Sequence, residues 1–183
     1  GAFAVSQADA EALIVEYTIT VSYGGAEPAL KDFSYAFRAR GCYAVLGESG
    51  SGKTTLLNLL TGFHRQYNGD IRYDDVVIRD VSNESLCQIM SVIDQDVFIF
   101  DATIAENISM FHPYSDAALQ NAARKAELSA LIEQKGWDYR CGENGNQLSG
   151  GEKQRIALAR SILQGTDVLF FDEVTSALDA QTG

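Results

Sequence analysis

The residues Gly47-Glu48-Ser49-Gly50-Ser51-Gly52-Lys53-Thr54 follow the spacing G-x-x-x-x-G-K-[ST]. They stand between an apolar run, Cys42-Tyr43-Ala44-Val45-Leu46, and the helically spaced Leu56, Leu57, Leu59 and Leu60. A strand, a glycine-rich loop and a helix start is the arrangement that cradles a phosphate chain. Glycines at 47, 50 and 52 let the backbone pass close to phosphate oxygens with its N–H groups turned inward. The helix that follows aims the positive end of its dipole at the same point. Lys53 would meet the β- and γ-phosphates, Thr54 would offer its hydroxyl to Mg²⁺, and Thr55 could bond a phosphate further back. With Glu48, Ser49 and Ser51 as the remaining loop members, a nucleoside triphosphate with magnesium is the expected ligand.

A second candidate is Asp172-Glu173, directly after the apolar run Val168-Leu169-Phe170-Phe171. Acids at the carboxyl end of a buried strand lie where open α/β sheets place their ligand crevice. In phosphate-transferring enzymes of this layout one acid holds Mg²⁺ and a neighbour can orient the attacking water. Asp172 suits the first role and Glu173 the second, the alternative being a solvated acidic turn.

The elements that must position these residues follow from the pattern. Leu13–Tyr23 and Leu30–Phe37 read as strands, and Cys42–Leu46 as a buried strand feeding the loop. Gly69–Ile78 reads as a hairpin turning at Asp74-Asp75. Ser82 should cap a short helix, and Ser91-Val92-Ile93 should form a strand delivering Gln95. Ala102–Lys135 favours helix, with Ser115-Asp116 as a cap. Gly142–Gly151 reads as a loop, Glu152–Leu163 as a helix, and Val168–Phe171 as a strand buried on both faces of a parallel sheet. His64 and His112 fall near no catalytic motif and read as ordinary loop residues, and Trp137 as packing.

The 183 residues suffice for one domain with a lobe attached, and a net charge of −11 argues against a nucleic-acid surface. Cys42, Cys87 and Cys141 are scattered and odd in number, which suggests neither a disulfide framework nor a zinc site. No apolar run approaches the roughly 20 residues needed to cross a bilayer, and the opening residues lack the pattern of a signal peptide. Any membrane role is therefore expected through a partner or another segment.

Leu148-Ser149-Gly150-Gly151-Glu152, followed by Lys153-Gln154-Arg155, resembles the signature motif of ATP-binding-cassette (ABC) ATPases. Other motifs agree in order: Tyr23 matches the A-loop aromatic that stacks on adenine, Gln95 the Q-loop, Val168–Asp172 the Walker B strand, and Ser176–Asp179 the D-loop. The resemblance implies an α/β P-loop NTPase core with a parallel sheet, an N-terminal antiparallel β subdomain and a helical subdomain at about residues 96–163. It gives Gln95 a place beside the metal and the reacting phosphate, and Ser149, Gly150 and Gly151 a place on the nucleotide of a second domain paired head to tail. Residues 1–11 are expected as a linker or vector-derived, and 12–183 as the ABC domain. Phe100–Ile108 and Cys141–Gly145 are similar to the exporter branch, whose corresponding segments face the coupling helices of a transmembrane domain at the cytoplasmic face of the membrane.

In the family a switch histidine follows the D-loop, so the resemblance implies that its segment is missing after Gly183. Impaired hydrolysis and an uncovered sheet edge are then expected. A soluble non-transport ABC ATPase and a non-hydrolysing regulatory module remain as alternatives.

Overall fold

The computed structural model describes residues 3–7, 13–21, 30–38, 41–48 and 50–172. The chain divides into two compact units, the first formed by residues up to Val92 together with the stretch from Thr166, the second by Ile93–Gly165.

The first unit begins with strands β1 (Phe3–Gln7), β2 (Leu13–Val21), β3 (Leu30–Ala36) and β4 (Cys42–Val45), followed by helix α1 (Lys53–Leu60). Short strands β5 (Arg72–Tyr73) and β6 (Val76–Val77) form the expected hairpin, which turns through Asp74 at φ 51°. Helix α2 (Asn83–Ile89) follows a 3₁₀ turn at Ile78–Asp80 and leads into strand β7 (Met90–Ile93). Ser82 caps α2 as its type predicts, its side chain accepting from the Ser85 amide at 3.2 Å.

One four-stranded sheet has the order β3-β2-β5-β6, in which all three pairings are antiparallel. The other has the order β4-β1-β8-β7, where β8 is Val168–Phe171. In it β1 runs antiparallel to both β4 and β8, so these two share one direction with a reversed strand between them. The β8 end is tied to the α2–β7 region by Asp167 N–H donating to the Ile89 carbonyl at 2.9 Å and by a 3.0 Å bond between the Ser91 and Thr166 hydroxyls.

The core of this unit gathers Leu56, Leu57, Leu59 and Leu60 of α1 with Phe37, Ile71, Ile78, Leu86, Met90, Val168 and Phe170. Two burial expectations are corrected here. Only Val168 and Phe170 of β8 are buried, while Leu169 and Phe171 are half-covered, so the apolar run covers one face fully rather than two. β4 is not a buried strand either. It lies at the end of its sheet, where Tyr43 and Val45 pack on the core but Cys42 and Ala44 are exposed, and Leu46 beyond it is 77% exposed.

The second unit is helical: α3 (Ile104–Ser109), α4 (Asp116–Lys125), α5 (Ser129–Lys135) and α6 (Gly150–Gln164). The helical stretch expected over 102–135 is broken in two places. Met110 and Phe111 adopt left-handed backbone angles (φ 52° and 62°) and end α3, and Glu127 (φ 57°) separates α4 from α5. Ser115 caps α4, accepting from the Ala118 amide at 3.3 Å. The core comprises Ile99, Ile104, Ile108, Ala123, Ala126, Leu128, Leu131, Cys141, Leu148, Ile156 and Ala159, with Trp137 packed against it as expected.

Candidate nucleotide-binding site

In the first unit, β4 delivers the glycine-rich loop and α1 receives it. The Ser51 amide donates to the Glu48 carbonyl at 3.2 Å and closes the turn. Gly50 and Gly52 take φ of +82° and +91°, a region costly for any residue with a Cβ, so the glycines at these two places are structural requirements. The Lys53 side chain folds back over the loop. Its Nζ donates to the carbonyls of Gly47 at 2.7 Å and Glu48 at 2.6 Å and lies 3.4 Å from Ser51 Oγ.

The start of α1 has no side-chain cap and no acidic residue in its first turn. Backbone N–H groups at a helix start need an acceptor, and a phosphate oxygen meets that need together with the helix dipole. The loop residues therefore fit a phosphate-bearing ligand: a cation, uncapped amides and two glycines in conformations that clear the approach. Thr54 is exposed at the start of the same helix, Thr55 is half-buried beside it, and Asp172 is half-buried just after β8. Among the described residues no group of three or more His, Cys, Asp or Glu side chains could hold a metal ion.

In the second unit, the turn at Leu148–Gly151 opens α6 in a different way. Ser149 Oγ accepts from the Glu152 amide at 3.3 Å while the Ser149 amide donates to Glu152 Oε2 at 2.6 Å, a reciprocal capping box. Burial pushes the Glu152 carboxyl up, but the two bonds from Ser149, aided by Lys135 and Arg155, outweigh it and hold the group below its ordinary value. The segment before the turn is held as well. Lys135 Nζ donates to the Gln147 carbonyl at 3.1 Å, Tyr139 OH to Gln147 Oε1 at 2.9 Å, and Lys153 Nζ to the Asn144 carbonyl at 2.8 Å.

Of the residues singled out from sequence, Gly47, Glu48, Gly50, Ser51, Gly52, Lys53, Thr54 and Thr55 come together as one loop and helix start in the first unit, which also holds Asp172. Gln95 sits exposed in the loop after β7, and Ser149, Gly150 and Gly151 stand at the start of α6. Tyr23, Ser49, Glu173 and the Ser176–Asp179 stretch lie outside the described residues. Sequence reasoning missed the part played by Glu152, although the spacing S-x-x-E before an apolar-periodic helix announces it. It also missed Asn107, which no local pattern distinguishes.

A glycine-rich phosphate loop on a sheet, with a helical unit whose last helix opens on a second glycine-rich turn, defines a P-loop ATPase of cassette type. The chain belongs to the ABC transporter family, whose match spans residues 30–176. It is 42% identical over 167 residues to the protein named "Iron-sulfur clusters transporter atm1, mitochondrial" of Aspergillus fumigatus, covering 90% of this chain and 23% of that protein. It is 42% identical over 170 residues to the "ATP-dependent lipid A-core flippase" of Shewanella denitrificans, covering 90% of this chain and 28% of that one. A solved structure titled "Structure of a bacterial Atm1-family ABC exporter with ATP bound" superposes with a TM-score of 0.82 at 32% identity, covering 96% of this chain and 32% of the other. The chain therefore has the ABC ATPase fold and spans less than a third of the length of each of these relatives. No helix of the described residues is long and apolar enough to cross a membrane.

Proposed function

We propose that this chain is the ATP-binding and ATP-hydrolysing part of an exporter-type transporter, held at the cytoplasmic face of a membrane by a transmembrane domain on the same or a separate chain. The observation that carries the reading is the loop at 47–54: Lys53 folded onto two carbonyls, left-handed Gly50 and Gly52, and an α1 start with no side-chain cap and no acid in its first turn. ATP is the substrate such a loop is suited to grip. Exporter type is supported by relatives whose names describe an iron–sulfur cluster transporter and lipid A-core flippases, and by a neighbour titled as an ATP-bound exporter.

In this reading the amides of residues 50–54 and Lys53 neutralise the phosphate chain, and Tyr23 stacks on the adenine. Thr54, Asp172 and Gln95 would hold Mg²⁺, which when bound supplies charge neutralisation between phosphate oxygens. Glu173 orients water for in-line attack on the γ-phosphate. Ser149, Gly150 and Gly151 serve the nucleotide held by a second ABC domain, so two such domains pair head to tail with a two-fold axis between them. Hydrolysis removes the group both halves share and thereby weakens the closed state.

The aromatic side chains of Phe98, Phe100 and Phe111 are the natural contact for a membrane domain. Phe98 and Phe111 are 61% and 58% exposed, and their rings stack edge to face on Phe100 at 5.0 and 5.4 Å. Such a cluster of exposed aromatics is suited to burial against a partner.

The decisive experiment is Glu173→Gln in the full-length transporter. ATP binding should persist, turnover should fall about a hundredfold or more, and the ATP-closed pair should become long-lived. Unchanged turnover would remove Glu173 from the chemistry, and ATP binding that survives Lys53→Ala undiminished would remove the loop.

A further inference from the structure

Asn107 is fully buried in α3, and its polar atoms are all engaged. Its Oδ1 accepts from the Phe100 amide at 2.9 Å, and its Nδ2 donates to the carbonyls of Phe100 at 3.1 Å and Thr103 at 3.0 Å. Arg160, three turns into α6, completes the node. Its Nε donates to the Asn107 backbone carbonyl at 2.6 Å and one terminal nitrogen to Asn107 Oδ1 at 2.8 Å. Its other terminal nitrogen donates to the Phe98 carbonyl at 2.8 Å, and the guanidinium lies 5.9 Å from the centre of the Phe100 ring. One side chain of α6 thus grips the backbone of the loop that displays Phe98 and Phe100 and the helix that ends beside Phe111.

The same helix is capped at its other end by Ser149. Eleven residues separate Ser149 from Arg160, about 16 Å along an α-helix. A continuous helix is stiff along its axis, whereas the loop carrying Phe98 and Phe100 has no ladder of its own to hold it. The planar guanidinium fork is well suited to this task, because its donors diverge in fixed directions toward three acceptors.

We propose that Arg160 is a positioning residue that joins the aromatic docking surface to the signature helix, so that displacement of Phe98, Phe100 and Phe111 by a membrane domain moves Ser149 and closure at Ser149 moves the aromatics. The inference rests on the docking role proposed above for those aromatics. Reciprocity follows: whatever the surface does to the turn, the turn does to the surface. Without the Arg160 node, ATP could still be bound and split, but the aromatics would no longer follow.

The test uses the full-length transporter in lipid vesicles, with the exposed Cys42 and Cys87 replaced by Ser and a single reporter cysteine in the transmembrane cavity. Labelling by a membrane-impermeant maleimide is measured with and without ATP plus vanadate, beside the ATP dependence of hydrolysis. Arg160→Gln should keep at least half of the hydrolysis with KM for ATP within about twofold, while the ATP-driven change in labelling falls at least fivefold. Arg160→Lys, which keeps the charge without the fork, should lie between, and it replaces the Gln variant if that one does not fold. Loss of hydrolysis and labelling change in equal proportion would mark Arg160 as a folding residue only and overturn the proposal. So would a wild-type labelling change in Arg160→Gln alongside its loss in Phe111→Ala. If Phe111→Ala also retains the full change, the docking role of the aromatics fails, and this inference with it.

Discussion

The two glycine-rich turns of this molecule each open a helix, and they solve the same problem in opposite ways. At α6 the chain supplies its own anion: the Glu152 carboxylate and the Ser149 hydroxyl satisfy one another's amides. At α1 it supplies none, and the adjacent cation turns inward onto the Gly47 and Glu48 carbonyls. The backbone differs accordingly. Gly52 is left-handed, whereas Gly150 starts a regular helix, and a Cβ added there would meet nothing within 4 Å. The first turn is arranged for a ligand that must arrive, and the second is complete before any partner does.

The contrast can be broken most forcefully at Lys53. Lys53→Ala should reduce ATP turnover about a hundredfold or more, since it removes the cation proposed to neutralise the phosphates; radiolabelled phosphate release checks this. Gly52→Ala forces a Cβ into the left-handed region and should cost about 1–2 kcal/mol, read as a lower chemical-denaturation midpoint. Ser149→Ala removes half of a capping box and should cost about 1 kcal/mol by the same measurement, with no strain involved. The mirror of the Gly52 variant, Gly150→Ala, should be neutral or stabilising by about 0.5 kcal/mol, because the helix conformation suits alanine.

Acid offers a gentler test of the self-capped turn. The folded protein holds the Glu152 carboxyl below its ordinary value, so the stability this group contributes is present above that value and fades as pH falls through the lowered one. Thermal unfolding midpoints of the wild type and of Glu152→Ala, which lacks the carboxylate that accepts from the Ser149 amide, should therefore converge below about pH 4. A gap of constant size down to pH 2 would show that the carboxylate plays no part in the cap.

Much of the site was legible because its signals are local. Glycine spacing, Lys53 and the leucines at 56, 57, 59 and 60 fix a loop and one buried helix face with no distant information. The caps at Ser82 and Ser115 were legible for the same reason. The aromatic node was not. On α6 the periodic pattern sets Arg160 largely off the apolar face, yet its partners Asn107 and Phe98 lie 53 and 62 residues away in sequence. Left-handed Met110 and Phe111 carry no glycine or asparagine to mark the end of α3, so the Ser115 cap announced where α4 starts but not where α3 stops. Burial was misjudged at β4 and β8 because residue type says how apolar a strand is, and only what packs on each face of the sheet says how many of its faces are covered.

The sheet order governs how the polypeptide can be made. β1 pairs with β8, Ala4 opposite Phe171 and Gln7 opposite Val168, while the whole of Ile93–Gly165 lies between them in the chain. On a ribosome the helical unit emerges as one continuous stretch and can condense first. The sheet bearing the glycine-rich loop must wait for Val168 and Phe170 to fill its interior, and contacts of such long sequence separation form slowly. The pairing of β8 is therefore the last of the described contacts of that sheet to form, and a chaperone bound early in synthesis would find the β1 edge that receives it still open.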